Sequence, residues 1–569
     1  MTRDWKFYLI PLCIFGFFIR VLGNRFGLYH PDEHLIVNHA LAFGTGDLNP
    51  HMFYFPHLFM YILFFVYGVF YGVGHLLNIF QKPDDFLNLY LTSPELFYVI
   101  GRSVSAFFGA LTIWAVALLG KEYKSSRTAL CAALLVAINF FHVRDSHFAT
   151  MDIALTFFMT LSMVYLLRTY RLKSYRSFAM GVFLAGMASA VKYNAFILCV
   201  PIALSYAFSF FEADWKRGAF FACQRLFLFA FLAAAGLLAS FFIFSPFVFL
   251  DYRAAYDFIS RLYGINIGFG VVWTHHIKML IFALDWPLFI VASVALAAKL
   301  FYFKKIDWIF FSLPIFYYLM ISKAGQPFPR YILPIIPLAI VWSSAFLEDL
   351  EAWLIKSLGL KKPWMLVAVV VLALTLLPKT AHSGFLFLQK DTRSLAGDWI
   401  YQNVASGSAV AIDDPGQAPK LIATQAQIEE KVRGLNSEGE LSLVKKQRLE
   451  KLLALKPYPS PSYNLYYLKT SPQKESIYSL LSPQIGYDKE VLRALKIRYL
   501  ITNSFLVKRN PVFYDELKKY ASLVAEFDPR KDSRLPMTSE RWTYLAIDNS
   551  LWNYERPGPL ISIYELDDL

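Results

Sequence analysis

A polytopic all-α membrane protein of about eleven transmembrane helices, with one water-soluble α/β domain at its C-terminal end, is the fold class this sequence predicts. Three observations predict it. The 569 residues are 57% hydrophobic and 18% aromatic with positive mean hydropathy, more apolar surface than one soluble core can bury. The excess falls in blocks such as 226–250 and 367–377, on the scale of the ~20 residues that cross ~30 Å of hydrocarbon as a helix satisfying its own backbone. Near residue 380 the long apolar runs end and charge rises.

Spans are predicted near 7–23, 96–120, 128–141, 152–168, 177–191, 193–211, 223–250, 277–303, 307–322, 331–347 and 364–379, with a further apolar block at 56–80. If that block also crosses, the basic bridges Lys121/Lys124/Arg127, Arg171/Lys173/Arg176, Lys216/Arg217 and Lys304/Lys305 fall opposite the N-terminus and its Lys6. The positive-inside rule then fails from the third block onward. Treating 56–80, with Pro56, Gly68, Gly72, Gly74 and His75, as re-entrant or interfacial turns every bridge cytoplasmic. The expected organisation is a transmembrane domain over 1–379, with a first outer loop at 24–95, and an extracytoplasmic domain over 380–569. Arg20, and the lack of a small-residue cleavage site before Asn24, predict a retained first helix rather than a signal peptide.

In the tail, Asp391–Val404 reads as a helix with Trp399 and Ile400 on its apolar face, and 420–456 as charged and helical. Ala409–Ile412, Arg498–Ile501, Leu523–Phe527 and Pro559–Tyr564 read as strands, and the mixture suggests a small α/β domain. The net charge of +13 lies mainly in the short bridges and the tail, a topology signal rather than a groove for nucleic acid. Cys13, Cys131, Cys199 and Cys223 lie in or beside apolar segments with no paired spacing, which predicts neither a disulfide framework nor a cysteine metal site. Without a Walker-type loop, zinc-protease helix or nucleophile elbow, nucleotide hydrolysis and serine acyl transfer lack support.

The unusual polar residues of the membrane half gather in segments expected on one face: 24–95, 142–151, around Lys192, 251–276 and 323–330. In Tyr29-His30-Pro31-Asp32-Glu33-His34, Pro31 forces an extended entry and Asp32 is a good helix cap. Asp32 and Glu33 are then either an ordinary acidic helix start or, for Asp32, a general base at the membrane surface. The 142–152 segment carries His142, Arg144, Asp145, His147 and Asp152, yet matches no metal-ligand spacing. Asp152 either caps the next helix or holds a substrate hydroxyl or a cation. Lys192 interrupts the apolar run 177–211, and Arg330 opens a proline-bearing helix. Both are costly at membrane depth without an anion; they suit either bulk headgroups or a lipid-linked phosphate, which arginine can grip bidentately.

At these residues the chain resembles the polyprenyl-phosphate-sugar-dependent glycosyltransferases of the GT-C fold, specifically the protein-mannosyltransferase and aminoarabinose-transferase group. The resemblance is carried by Asp32-Glu33 after a single helix, Arg144…His147…Asp152 after the third, Lys192, and Arg330-Tyr331…Pro334…Pro337. Thr392-Arg393…Trp399-Ile400 and Gly558-Pro559…Ile561-Ser562-Ile563-Tyr564 look like the outer domain of bacterial members. The resemblance implies inverting transfer of one sugar from a polyprenyl-phosphate donor to a lipid, glycan or protein acceptor at the extracytoplasmic face of a plasma membrane. It implies Asp32 as base and Glu33 as aid to acceptor placement. Asp152, with Arg144 and His147, would order the sugar or a cation, and Lys192, Arg330 and Tyr331 would bind the donor phosphate. Metal dependence varies within the group: a divalent metal is possible, with Asp32, Asp152 and His147 as candidates, and no other cofactor is implied. The competing class, a transporter or lipid-linked-sugar flippase, predicts paired repeats and mid-membrane charges, whereas here the polar residues cluster at one face and no repeat is visible; a third reading is a non-catalytic protein that only binds lipid-linked sugar.

Overall fold

The computed structural model of the chain describes residues 5–24, 30, 32–266, 273–323, 328–360, 363–413, 418–434, 446, 449–468, 483–503, 510–517, 519–535 and 549–566. Tyr29, Pro31, and parts of the expected 251–276, 323–330 and 420–456 segments lie outside the described residues. The helices run in order α1 Leu9–Val21, α2 Glu33–Ala42, α3 Leu58–Leu76, α4 Pro83–Thr92, α5 Glu95–Tyr123, α6 Ser126–Ala137 and α7 Phe140–Asp145. They continue with α8 Asp152–Leu172, α9 Tyr175–Val191, α10 Cys199–Tyr206, α11 Glu212–Trp215, α12 Ala219–Phe244, α13 Phe247–Leu250, α14 Tyr252–Asn266 and α15 Trp273–Leu300. Then come α16 Lys305–Ile321, α17 Ile335–Leu358, α18 Trp364–Leu388, α19 Thr392–Asn403 and α20 Gln425–Gly434.

The chain forms two compact units, one of residues 1–24, 36–66 and 100–384, the other of 25–35, 67–99 and 385–569. Among the described residues, seven helices are long and apolar enough to cross a membrane, and the protein is a multi-pass membrane protein. Every span expected from the sequence is occupied by helix. In the first unit α8 is the innermost, buried along most of its length. By contrast α12 buries only Ala222, Leu237, Ser240 and Phe241 and leaves Phe220, Phe227 and Phe231 exposed, the surface of a helix whose outer face meets lipid. Small residues let these helices approach: a Cβ at Gly186 of α9 would lie 2.6 Å from the Leu237 carbonyl of α12.

Two helices differ from expectation for local reasons. The 128–141 span stops at Ala137, because Asn139 takes extended backbone and its side chain accepts from the His142 N–H, starting α7 afresh. α3 is one unbroken 19-residue helix, so Pro56 and the glycines do not fold 56–80 into a re-entrant hairpin. Its expected juxtamembrane placement rests on the charge pattern, not on a break.

In the second unit a six-stranded sheet has the order β3-β2-β1-β4-β6-β5, with β1 Ala409–Asp413, β2 Asn464–Leu468, β3 Gln484–Ile485 and β4 Tyr499–Asn503 parallel. β5 Ala521–Phe527 and β6 Ile561–Leu566 close one edge antiparallel. β2 and β3 were not expected from the sequence. Ile400 of α19 packs with Val410, Ile412, Ile501 and Ile563 on one face, and Ala411, Leu500 and Leu492 fill the other. The same unit contains α4, tied by an Asp84–Lys451 ion pair of 2.7 Å, and an aromatic cluster of Phe70, Phe80, Phe86 and Phe97.

Candidate active site

Two of the cations singled out in the first unit, Lys192 and Arg330, converge on Asp152. This carboxylate opens α8, where the helix dipole favours an anion, and it is 2% exposed. Its Oδ1 accepts from Lys192 Nζ at 2.7 Å, and its Oδ2 lies 3.5 Å from Arg330 Nε without a hydrogen bond among the described residues. Lys192 is where α9 ends: its backbone turns extended while its N–H caps the Ala188 carbonyl, projecting the side chain toward α8. Arg330 sits in a short 3-10 turn, Pro329–Ile332, that precedes α17, with its guanidinium 4.5 Å from the Phe328 ring. Tyr331 from the same turn lies 4.9 Å beneath Lys192 Nζ. Tyr317 of α16 is also within electrostatic reach of Asp152 and Tyr331.

Arg144 and His147 are engaged otherwise. Arg144 pairs with its neighbour Asp145, Nε to Oδ2 at 2.9 Å, and lies over the Phe141 ring. Burial pushes the Asp145 carboxyl up to about 6 against the pull of Arg144, and Asp152 adds to the rise. His147 is fully buried, with Nδ1 2.8 Å from the Val143 carbonyl and Nε2 2.9 Å from the Leu22 carbonyl. It clamps this segment to the end of α1, and burial lowers its pKa to about 4. Arg20, also fully buried, holds the Val136 and Ala137 carbonyls at the end of α6 and the His142 ring.

Asp32 and Glu33 belong to the second unit. Asp32 precedes α2 as expected, its N–H donates to His30 Nδ1 at 3.1 Å, and its own Oδ2 stands 3.8 Å from that nitrogen. Its side chain is 18% exposed, whereas Glu33 is buried and accepts from the His30 N–H. His30 thus contacts both members of the acidic pair.

A divalent cation does not fit Asp152, whose two oxygens already face a lysine and an arginine. Among the described residues no three His, Cys, Asp or Glu side chains group as a metal cage requires. Sequence reasoning passed over Tyr317, which gives no signal until the helices are packed.

Residues 68–244 match the family described as dolichyl-phosphate-mannose-protein mannosyltransferase. No curated protein matches the chain in sequence. Among solved structures, the chain is similar to ArnT from Cupriavidus metallidurans bound to undecaprenyl phosphate, with a TM-score of 0.51 and 12% identity over 99% of this chain and 98% of that one. The apo state of that protein gives a TM-score of 0.50 and 12% identity over 98% and 97%. The oligosaccharyltransferase AglB from Archaeoglobus fulgidus, in complex with an inhibitory peptide and a dolichol-phosphate, gives 0.45 and 11% over 92% and 73%. The chain thus has the fold of these transferases along nearly its whole length, with a segment that matches the mannosyltransferase family within it.

Proposed function

We propose that the protein moves a single sugar from a polyprenyl-phosphate donor to a lipid, glycan or protein acceptor, with inversion, at the extracytoplasmic face of a plasma membrane. One observation carries this reading: Lys192 and Arg330, from different helix ends, meet at one buried carboxylate. Asp152 is then the residue that keeps the two cations oriented and ready for a phosphate, so that little reorganisation accompanies binding. In the reaction, Asp32 takes the acceptor proton as the acceptor oxygen attacks the anomeric carbon from the side opposite the phosphate. The bond from that carbon to the phosphate oxygen breaks, and polyprenyl phosphate leaves as an anion neutralised by Lys192 and Arg330, with Tyr331 beside them. Glu33 helps to place the acceptor, and Arg144 and His147 support the segment that ends at Asp152. The basic bridges support a C-terminal domain on the side away from the cytoplasm.

The test is transfer from radiolabelled polyprenyl-phosphate sugars by the full chain and its Asp32→Asn variant. Loss of transfer with donor binding retained is expected. Full activity in Asp32→Asn would refute the base assignment.

A further inference from the structure

Two charges lie inside apolar helices, away from the site: Asp285 in α15 and Lys379 in α18. They form an ion pair, with Lys379 7% exposed. Asp285 has φ 58° and ψ 156°, a backbone region that almost only glycine occupies, and it splits α15 into two helical halves. Pro287 explains part of the break, because its ring clashes with the carbonyl four residues earlier, that of Ala283. Two carbonyls just before the break have partners from elsewhere in the fold. Lys379 Nζ donates to the Phe282 carbonyl at 3.1 Å, and Asn139 Nδ2 donates to the Ala283 carbonyl at 2.7 Å. The next residue of α18, Thr380, donates to the Ile138 carbonyl at 2.7 Å, so one turn of α18 grips both α15 and the end of α6.

Asn139 is the link to the site. Its Oδ1 caps α7, the helix that presents Arg144 and Asp145, and Asp145 interacts electrostatically with Asp152 and Arg330. The half of α15 before the break places His276 within ring contact of Tyr331, while the half after it accepts from Trp342 of α17 at the Ala292 carbonyl. A glycine at 285 would give the same backbone without strain, and an aliphatic residue at 379 would pack without desolvation. A charge pair is the costlier way to make this kink. What it adds is a fixed direction for the carbonyls of the buried Phe282 and Ala283.

We propose that Asp285 and Lys379 are positioning residues: the pair holds the break in α15, whose carbonyls fix Asn139 and through it the 139–145 segment against the Asp152 cluster. The inference rests on reading Lys192 and Arg330 as the phosphate site. It is tested with the full-length protein in detergent, using undecaprenyl phosphate as the probe. Lys379→Met is expected to weaken binding about tenfold, within the range over which residues remote from a ligand modulate its site. Lys379→Arg should restore it to within about twofold, because a cation still reaches the Phe282 carbonyl. Hydrogen exchange at 139–151 should quicken in Lys379→Met and not in Lys379→Arg. Asn139→Ala, which leaves the ion pair intact, should reproduce the binding loss and add nothing to it in the double variant. Unchanged exchange at 139–151 in a folded Lys379→Met protein, or additive losses in the double variant, would overturn the proposal. Lys192→Met separates the two readings. If it too binds undecaprenyl phosphate normally, the phosphate site has failed; if it alone loses binding, the positioning role has.

Discussion

Asp152 and Asp391 are both buried aspartates facing cations, and they are built in opposite ways. Asp391 caps α19 and accepts from the N–H, Nε and Nη2 of Arg393 at 2.8, 2.7 and 2.6 Å, a bidentate pair only two residues apart. Gly558 closes over it with φ +113°, allowing Thr392 Oγ1 to donate to the Pro559 carbonyl at 2.7 Å. Every oxygen of that carboxylate is used. Asp152 draws its partners from 40 and 178 positions along the chain, makes one full hydrogen bond, and leaves Oδ2 at 3.5 Å from Arg330. A complete local pair can only hold a fold together. An incomplete long-range one keeps its cations oriented while leaving them able to meet another anion.

The comparison can be broken first at the closed pair. Arg393→Ala leaves the buried Asp391 charge uncompensated and should cost about 3–5 kcal/mol in unfolding of the C-terminal sheet, with undecaprenyl phosphate binding unchanged. Thermal denaturation alongside a binding isotherm measures both. Gly558→Ala is next, at about 3 kcal/mol, since its Cβ would fall 2.0 Å from Thr392 Oγ1 in a left-handed conformation. At the open pair the readout reverses: Lys192→Met should weaken undecaprenyl phosphate binding about 100-fold. Its melting temperature should fall less than that of Arg393→Ala.

The smallest effect sharpens the contrast through pH. With its folded pKa near 6, above the ordinary 3.8, Asp145 becomes neutral as pH falls through about 6. Arg144 then loses its counter-charge, and binding of an anionic lipid should tighten about threefold relative to Asp145→Asn, which lacks this step. The same sign means that this group stabilises the folded state on acidification from about 6 toward 3.8, because the folded form takes up its proton first. A binding profile without any difference between parent and Asp145→Asn would remove Asp145 from the electrostatics of the site.

Much of the fold was legible because lipid makes one simple demand. Blocks such as 152–168 and 223–250 had to be helices, and both α8 and α12 are. The strands β1, β4, β5 and β6 also stood where apolar alternation put them, whereas the short edge strand β3 has too few residues to show a period. Lys192, Arg330 and Asp152 were conspicuous as charges beside apolar blocks. Asp285 and Lys379 carried the same signal inside their blocks but were read as parts of spans, since nothing in the sequence reveals that they face each other.

By itself, then, the sequence determined the class of environment: which segments leave water, where they stop, and which charges are too costly there to lack a partner, since transfer free energy is a property of each residue and its near neighbours. Only the tertiary structure decided the pairing. That Asp152 holds Lys192 and Arg330 while Asp145 takes Arg144, and that His147 clamps the end of α1, follows from distances between helix ends far apart in the chain. Such distances are fixed by side-chain packing summed over many helices, and no local stretch of sequence encodes them.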